Sequence, residues 1–180
     1  IFASHKGNKP MEEIGADCFG ALLSRSFFQK SSVNSSCFVM HDIIHDLAKS
    51  IAGDFYYRLE NDDPSLLLKK PRYYSYISAR YNTSQKFRGI YHNQSLKSFL
   101  TLPPSKWSHQ YIDMDVVKHL LDVSQRLQIL SLSNYVNVNE LPKSVGNLKL
   151  LRYLDLSRTS IRRLPDVVGR LQNLETLLLE

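Results

Sequence analysis

The sequence predicts an α+β fold in which a small module of helices and strands precedes an array of stacked, leucine-based repeats. Three observations carry this prediction. Residues 11–53 alternate between helical and strand-like spacing of apolar side chains, residues 58–106 are basic and rich in tyrosine, and leucines recur periodically after residue 126. With 180 residues, of which 43% are hydrophobic and 22% charged, the chain is long enough for one or two domains.

The first segment, residues 1–57, is predicted to contain two helices and two short strands. Apolar residues at helical spacing indicate a helix over about residues 12–25. The β-prone stretches 27–29 and 37–40 flank a turn that is rich in Ser and Asn. A second helix over residues 41–53 follows. This order of elements is typical of the C-terminal part of a winged-helix subdomain.

The second predicted helix has the clearest amphipathic pattern of the N-terminal half. Asp42 lies in its first turn, where a negative charge favours the helix dipole. Gly53 is placed to end the helix in the left-handed conformation. Its apolar stripe consists of Ile43, Ile44, Leu47, Ala48 and Ile51.

Residues 58–125 are predicted to form a linker and irregular first repeats that cap the array. Tyr74 and Tyr76 alternate as in a strand with one buried face, and Leu96-x-x-Phe99-x-x-Leu102 resembles a degraded repeat strand. A helix is expected over residues 114–123. Residues 58–106 carry nine basic and three acidic side chains, spread among tyrosines. A solvated basic face explains this excess better than a nucleic-acid site does.

Residues 126–180 contain one leucine pattern three times. The copies are Leu127-x-x-Leu130-x-Leu132, Leu151-x-x-Leu154-x-Leu156 and Leu174-x-x-Leu177-x-Leu179. They are 24 and 23 residues apart, and a Leu-Pro pair followed by Val-Gly-x-Leu recurs between them. A period of about 20–29 residues with this pattern is typical of a leucine-rich repeat, whose units bury their apolar faces against one another. The sequence therefore predicts the first repeats of a leucine-rich-repeat solenoid.

Several features predict a fragment of an intracellular protein. The sequence does not begin with Met, and it stops at Glu180 on a repeat strand without a capping unit. Cys18 and Cys37 fit neither a disulfide framework nor metal-ligand spacing. No apolar run approaches the roughly 18 residues of a membrane span. We expect the open repeat edge at Leu177 and Leu179 to be exposed and to promote aggregation.

Met40-His41-Asp42, at the predicted junction of strand and helix, is the candidate binding site. The free N–H groups of a helix N-terminus together with a histidine suit a phosphate group. His41 could instead serve only to cap its own helix, and the spacing alone favours that interpretation. His41-Asp42-x-x-His45 also has the spacing of the zinc-binding H-E-x-x-H motif. Against zinc, Asp is shorter than the Glu of that motif, and nothing indicates a third ligand.

Two sets of residues resemble the plant intracellular nucleotide-binding, leucine-rich-repeat disease-resistance proteins of the coiled-coil type. The first set comprises Gly15-x-x-x-Phe19-x-x-Leu22-Leu23-Ser24-Arg25-Ser26-Phe27-Phe28-Gln29 and Phe38-Val39-Met40-His41-Asp42-x-x-His45-Asp46-Leu47-Ala48. The second is the repeats, with the phrase Thr159-x-Ile161-x-x-Leu164-Pro165. Both sets occur in the family's order and together they cover nearly the whole chain.

The resemblance implies an ADP/ATP switch that is coupled to sensing by the repeats in the defence response to pathogens. Met40, His41 and Asp42 match the family's switch motif. His41 is expected to contact the β-phosphate of ADP, and Asp42 to support the inactive packing. Because the family's phosphate-binding loop is absent from the sequence, we expect no enzymatic activity, no catalytic residue, no metal site and no nucleotide on the fragment alone. The expected location is cytoplasmic, with a nuclear location left open.

The side chains that alternate with the repeat leucines predict a recognition surface for a pathogen effector or a guarded host protein. They are Ile129, Ser131, Ser133, Tyr153, Asp155, Ser157, Arg158, Thr176, Leu178 and Glu180. Arg162 and Arg163 lie on the return side and are predicted to contact the rest of the nucleotide-binding domain. The main alternative is a repeat scaffold without nucleotide control. A DNA-binding winged helix and a zinc enzyme are weaker alternatives.

Overall fold

The computed structural model describes residues 11–32, 37–59, 70–77, 87, 89–102 and 109–179. The chain folds as two compact units, which comprise residues 1–53 and residues 54–180. The three segments predicted from the sequence, 1–57, 58–125 and 126–180, stay a prediction. We note that the strand Tyr56–Leu59 belongs to the second unit and begins one residue before the end of the first predicted segment.

The first unit contains the four elements that the sequence predicts, each within two residues of its expected bounds. They are α1 Met11–Ser24, β1 Phe28–Lys30, β2 Phe38–Met40 and α2 Asp42–Ala52. The two strands pair antiparallel, with Phe28 opposite Met40. The ring of Phe19, on α1, packs 5.2 Å from that of Phe28 and 4.9 Å from that of Phe38. These three rings tie the helix to the hairpin.

The apolar stripe of α2 forms one face of the helix, but this face is exposed. Ile43 is 71% exposed, Leu47 50% and Ile51 76%. None of the side chains described in residues 13–32 and 37–53 is fully buried. A unit of this size buries a smaller fraction of its surface than a larger domain does. The end of α2 differs from the prediction in one detail: Gly53 has a positive φ of 50°, but its ψ of −138° lies outside the left-handed helical region.

The second unit is built on six short parallel strands whose spatial order follows the chain. They are β3 Tyr56–Leu59, β4 Tyr73–Ile77, β5 Ser98–Leu102, β6 Ile129–Ser131, β7 Tyr153–Asp155 and β8 Thr176–Leu178. Each strand pairs only with its neighbours in sequence. The predicted helix is confirmed as α3 Met114–Val123, and short 3-10 turns at Lys143–Asn147 and Asp166–Arg170 lie on the return segments of the last repeats.

The core is a row of large apolar side chains stacked from strand to strand. Strand register aligns Tyr57, Tyr74, Phe99, Leu130, Leu154 and Leu177. The next row holds Tyr76 paired with Thr101. This register corrects the predicted pattern around β5. The third core position of the leucine pattern is occupied by Thr101, which is 5% exposed, and not by Leu102, which is 37% exposed.

The last strand forms an open apolar edge, as the sequence predicts. Leu177 is 37% exposed and Leu179 is 55% exposed. The equivalent residues one strand earlier, Leu154 and Leu156, are almost fully buried, at 0% and 2%. The difference arises because β7 is covered by β8, whereas no described strand follows β8. Within the described residues, none of the helices combines the length and hydropathy that crossing a bilayer requires.

Candidate functional site

The Met40-His41-Asp42 junction connects β2 directly to α2. Pairing of Met40 with Phe28 fixes the end of the strand, and Asp42 begins the helix. His41 is the N-cap residue, with extended backbone angles of φ −64° and ψ 141°. Its carbonyl accepts the first helical hydrogen bond, from the N–H of His45 at 2.9 Å. The sequence alone therefore locates this junction correctly.

The His41 side chain is exposed and makes no capping hydrogen bond to the helix. A side chain that caps its helix accepts a bond from an N–H of the first turn, which satisfies one of the free donors. The imidazole of His41 therefore does not cap α2, although the sequence left that alternative open. The first N–H groups of a helix have no partner within the helix, and His41 is the residue at that end of α2. This arrangement suits an anion such as a phosphate.

The other charged groups of α2 are placed along its exposed surface. His45 lies 3.7 Å from the carboxylate of Asp46, its neighbour in sequence. Asp42 stands in the first turn and Lys49 in the last, so both favour the helix dipole. No cluster of three potential metal-ligating side chains occurs in the part of the chain that the structure describes.

The predicted recognition surface corresponds to the face of the parallel sheet opposite the leucine core. Register aligns Ile129 with Tyr153 and Thr176, and Ser131 with Asp155 and Leu178. Most of these side chains are partly or fully exposed. The surface also includes the partly exposed Ser157 and the exposed Arg158, which has a positive φ of 56°. Glu180 lies outside the described residues.

Ser131 and Ser133 differ from this prediction because they are nearly buried, at 4% and 9% exposed. Their hydroxyl oxygens lie 3.0 Å apart, and that of Ser131 donates to a carboxylate oxygen of Asp155 at 3.0 Å. Thr101, on the neighbouring strand, donates weakly to the carbonyls of both serines. Short side chains between larger neighbours have little access to water, so they form the floor of the surface.

A cavity of about 380 Å³ opens on this face between β5, β6 and β7. Its lining consists of Leu100, Thr101, Leu102, Ile129, Ser131, Ser133, Tyr153 and Asp155. We call it the Asp155 cavity. Burial, and secondarily the nearby Asp155 carboxylate, raise the pKa of Tyr153, so its phenol stays neutral at physiological pH.

Sequence reasoning missed the contribution of β5 to this cavity. The leucine pattern places Leu102 in the core of the repeat, so neither Leu100 nor Leu102 is part of the predicted surface. An alternative alignment of Leu96-x-x-Phe99-x-Thr101 with the later copies would have placed both leucines on the outer face. Arg162 and Arg163 are exposed and line a separate cavity of about 250 Å³ beside Thr159 and Ile161.

Comparison with known proteins agrees with the N-terminal fold. Residues 1–48 match the family model described as the winged helix domain of disease resistance proteins. Two similar proteins of Arabidopsis thaliana are named as a disease resistance protein and as disease resistance RPP13-like protein 1. The first is 41% identical over 97% of this chain and the second 34% over 96%. Solanum bulbocastanum disease resistance protein RGA1 is 36% identical over 87%.

The chain therefore belongs to the plant disease-resistance proteins of the nucleotide-binding, leucine-rich-repeat class. Its matches cover 12%, 16% and 13% of the length of these three relatives. The names of these relatives support a role in plant defence. The winged-helix match also agrees with the helix, hairpin and helix of the first unit.

Proposed function

We propose that this chain is the part of a plant immune receptor in which a nucleotide switch is joined to sensor repeats. The single observation that supports the switch is that His41 is the N-cap residue of α2 and that its exposed side chain makes no capping hydrogen bond. In the complete receptor, His41 contacts the β-phosphate of bound ADP, and Asp42 supports the closed state. We propose no catalytic role for the chain, and we keep the expectation that it holds no nucleotide on its own.

We further propose that the second unit is the start of a leucine-rich-repeat solenoid. The order of six parallel strands along the chain, the aligned core row and the 24- and 23-residue periods support this proposal. The face opposite the core then senses a pathogen effector or a guarded host protein. A cytoplasmic location of the receptor agrees with this role and stays a prediction.

Expression in leaf tissue tests the two halves of this proposal separately. We expect His41→Ala in the complete receptor to trigger the defence response without a pathogen, because ADP no longer holds the closed state. We expect Leu178→Glu, on the outer face of the sheet, to abolish the response to the pathogen. The control for the second variant is Lys143→Glu, on an exposed return segment.

Absence of any effect of His41→Ala would favour a repeat scaffold without nucleotide control. That alternative is favoured by one observation: the described residues that line the Asp155 cavity all belong to the second unit. Loss of sensing by Leu178→Glu together with a silent His41→Ala would establish the scaffold.

A further inference from the structure

The Asp155 cavity combines a carboxylate with apolar walls. Leu100, Leu102 and Ile129 provide aliphatic surface, and Tyr153 provides an aromatic ring. Asp155 is the one charged residue among the described side chains that line the cavity. A long side chain with an apolar stem and a cationic end matches this distribution, because such side chains bury the stem and keep the charge beside a polar group.

The Asp155 carboxylate is held in a fixed orientation. One oxygen accepts a hydrogen bond from the Ser131 hydroxyl at 3.0 Å, and the other accepts one from the Ser157 N–H at 2.9 Å. An ionised carboxylate offers about four acceptor positions, so each oxygen keeps one for an incoming donor. Since Ser131 belongs to β6 and Ser157 anchors the carboxylate through its backbone N–H just after β7, a ligand does not have to order the carboxylate when it binds.

No basic side chain stands among the described residues that line the cavity. Arg152, next to Tyr153 in sequence, forms an ion pair with Glu175 at 3.0 Å. Arg58 occupies the same row of the sheet as Asp155 but four strands away. At about 4.8 Å per strand this places the two residues roughly 19 Å apart, which exceeds the Debye length of about 8 Å at physiological salt. The exposed Arg158, three residues after Asp155, does not line the cavity. Asp155 is thus the charge that the described lining itself presents, on a chain with a formal net charge of +6.

We propose that the Asp155 cavity binds an arginine side chain presented by a partner polypeptide. The guanidinium pairs with the Asp155 carboxylate and stacks on the Tyr153 ring, while the three methylenes pack on Leu102 and Ile129. Arginine fits better than lysine because its planar fork matches a carboxylate and stacks on an aromatic face. This inference rests on the proposed sensing role of the sheet face and names the chemistry of the partner.

The test is surface plasmon resonance with the 180-residue chain captured at low density through an N-terminal biotin. The probes are two acetylated and amidated pentapeptides of sequence Ser-Leu-X-Leu-Ser, in which X is arginine or its neutral isostere citrulline. We expect the arginine peptide to bind at least fivefold more tightly than the citrulline peptide. Raising NaCl from 50 mM to 500 mM should reduce this ratio, since the difference is a charge interaction.

Two variants assign the preference to the carboxylate. Asp155→Asn should bring the two peptides to equal affinity, and Asp122→Asn, which removes the same charge from an exposed position outside the cavity, should leave the ratio unchanged. Circular dichroism checks the fold of both variants. If Asp155→Asn does not fold, the peptide ratio and its salt dependence in the unchanged chain still decide the question.

Equal affinities of the two peptides for the unchanged chain would overturn the inference, and so would an arginine preference that persists in Asp155→Asn. The sensing proposal fails in a different experiment. If the peptides bind equally but Leu178→Glu abolishes the defence response, only the charge assignment is lost. If the arginine preference holds but Leu178→Glu responds normally, the cavity chemistry stands and the sensing role is lost.

Discussion

The rings of Tyr74 and Phe99 stack 5.5 Å apart and within 6° of parallel in the core between β4 and β5. Tyr57 extends the stack on the other side of Tyr74, at 5.9 Å and 15°. The three aromatic residues occupy the core row that Leu130 and Leu154 continue. A parallel, in-register sheet brings equivalent positions of successive strands next to each other, so aromatic side chains at these positions stack on their flat faces.

Replacing Tyr74 by Phe should leave the stack intact and stabilise the second unit slightly. The Tyr74 hydroxyl is buried and has no hydrogen-bond partner within the described residues. Removing an unsatisfied buried hydroxyl relieves its desolvation penalty, so we expect the free energy of unfolding to stay constant or rise by about 1 kcal/mol. Tyr74→Ala should instead cost about 3–5 kcal/mol, because it empties the centre of the stack. Urea unfolding curves measure both changes.

The same hydroxyl predicts a stability difference at alkaline pH. Burial, followed by the nearby Tyr76, Tyr57 and Tyr135, raises the pKa of Tyr74 far above its usual value. A raised folded-state pKa of an acid means that the contribution to stability is complete below the unfolded pKa of about 10 and is lost as pH rises beyond it. Above pH 10, the unchanged chain should lose up to about 1.4 kcal/mol per pH unit relative to Tyr74→Phe.

The control for the alkaline experiment is Tyr73→Phe on the same strand, where the ring is 43% exposed. Because this ring is exposed, the variant shows what the loss of a tyrosine hydroxyl on this strand does without burial. Parallel unfolding curves for the unchanged chain and Tyr74→Phe between pH 9 and 11 would contradict the prediction.

Two equivalent glycines should respond differently to substitution by alanine. A Cβ on Gly146 would lie 2.8 Å from the Cβ of Val167 and 3.2 Å from its carbonyl oxygen, whereas a Cβ on Gly169 meets nothing within 4 Å. Because Val167 belongs to the next return segment, Gly146→Ala must push the two neighbouring return segments apart. We expect Gly146→Ala to lower the free energy of unfolding by about 1–3 kcal/mol, and Gly169→Ala to change it by less than about 1 kcal/mol. Equal effects in urea unfolding would argue against close stacking at Gly146.

Asn137 is predicted to hold the segment before α3 in place. Its amide nitrogen donates to the carbonyl of Ile112 at 2.7 Å, and its amide oxygen accepts from the N–H of the same residue at 3.1 Å. Asn137→Ala leaves both backbone groups of Ile112 without these partners, so we expect a loss of about 1–3 kcal/mol. Hydrogen exchange should show faster exchange at the Ile112 amide. Asn139→Ala, at an exposed position two residues further on, should leave that exchange rate unchanged.

The regular parts of this fold could be predicted from the sequence, because they depend on spacing within one segment. The bounds of α1, α2 and α3 follow from apolar periodicity, and β6 to β8 follow from the leucine pattern. The pattern Leu96-x-x-Phe99-x-x-Leu102 predicts Phe99 correctly as a core position, but its last core position is Thr101 and not Leu102, since a threonine replaces the third leucine. The pairing with the neighbouring strands, Phe99 with Leu130 and Thr101 with Tyr76, fixes that register.

Other features depend on contacts between distant residues, which spacing does not reveal. The two hydrogen bonds between the Asn137 side chain and the backbone of Ile112 join residues 25 positions apart. The burial of Ser131 results from neighbours on the two adjacent strands, Thr101 and Asp155. The exposure of the α2 stripe was also not predicted, because an amphipathic pattern indicates which face is apolar but not what covers it. The position of His41 needed only the boundary between β2 and α2.

The most direct test of the central claim is the ADP content of the complete receptor, purified with and without substitution of His41. Protein is denatured, and released nucleotide is quantified by ion-pair chromatography. We predict close to one ADP per unchanged receptor, at least a fivefold reduction in His41→Ala, and unchanged content in His45→Ala, one turn further along α2. Equal ADP content in the unchanged receptor and in His41→Ala, or no ADP in either, would contradict the assignment of His41 to a nucleotide switch.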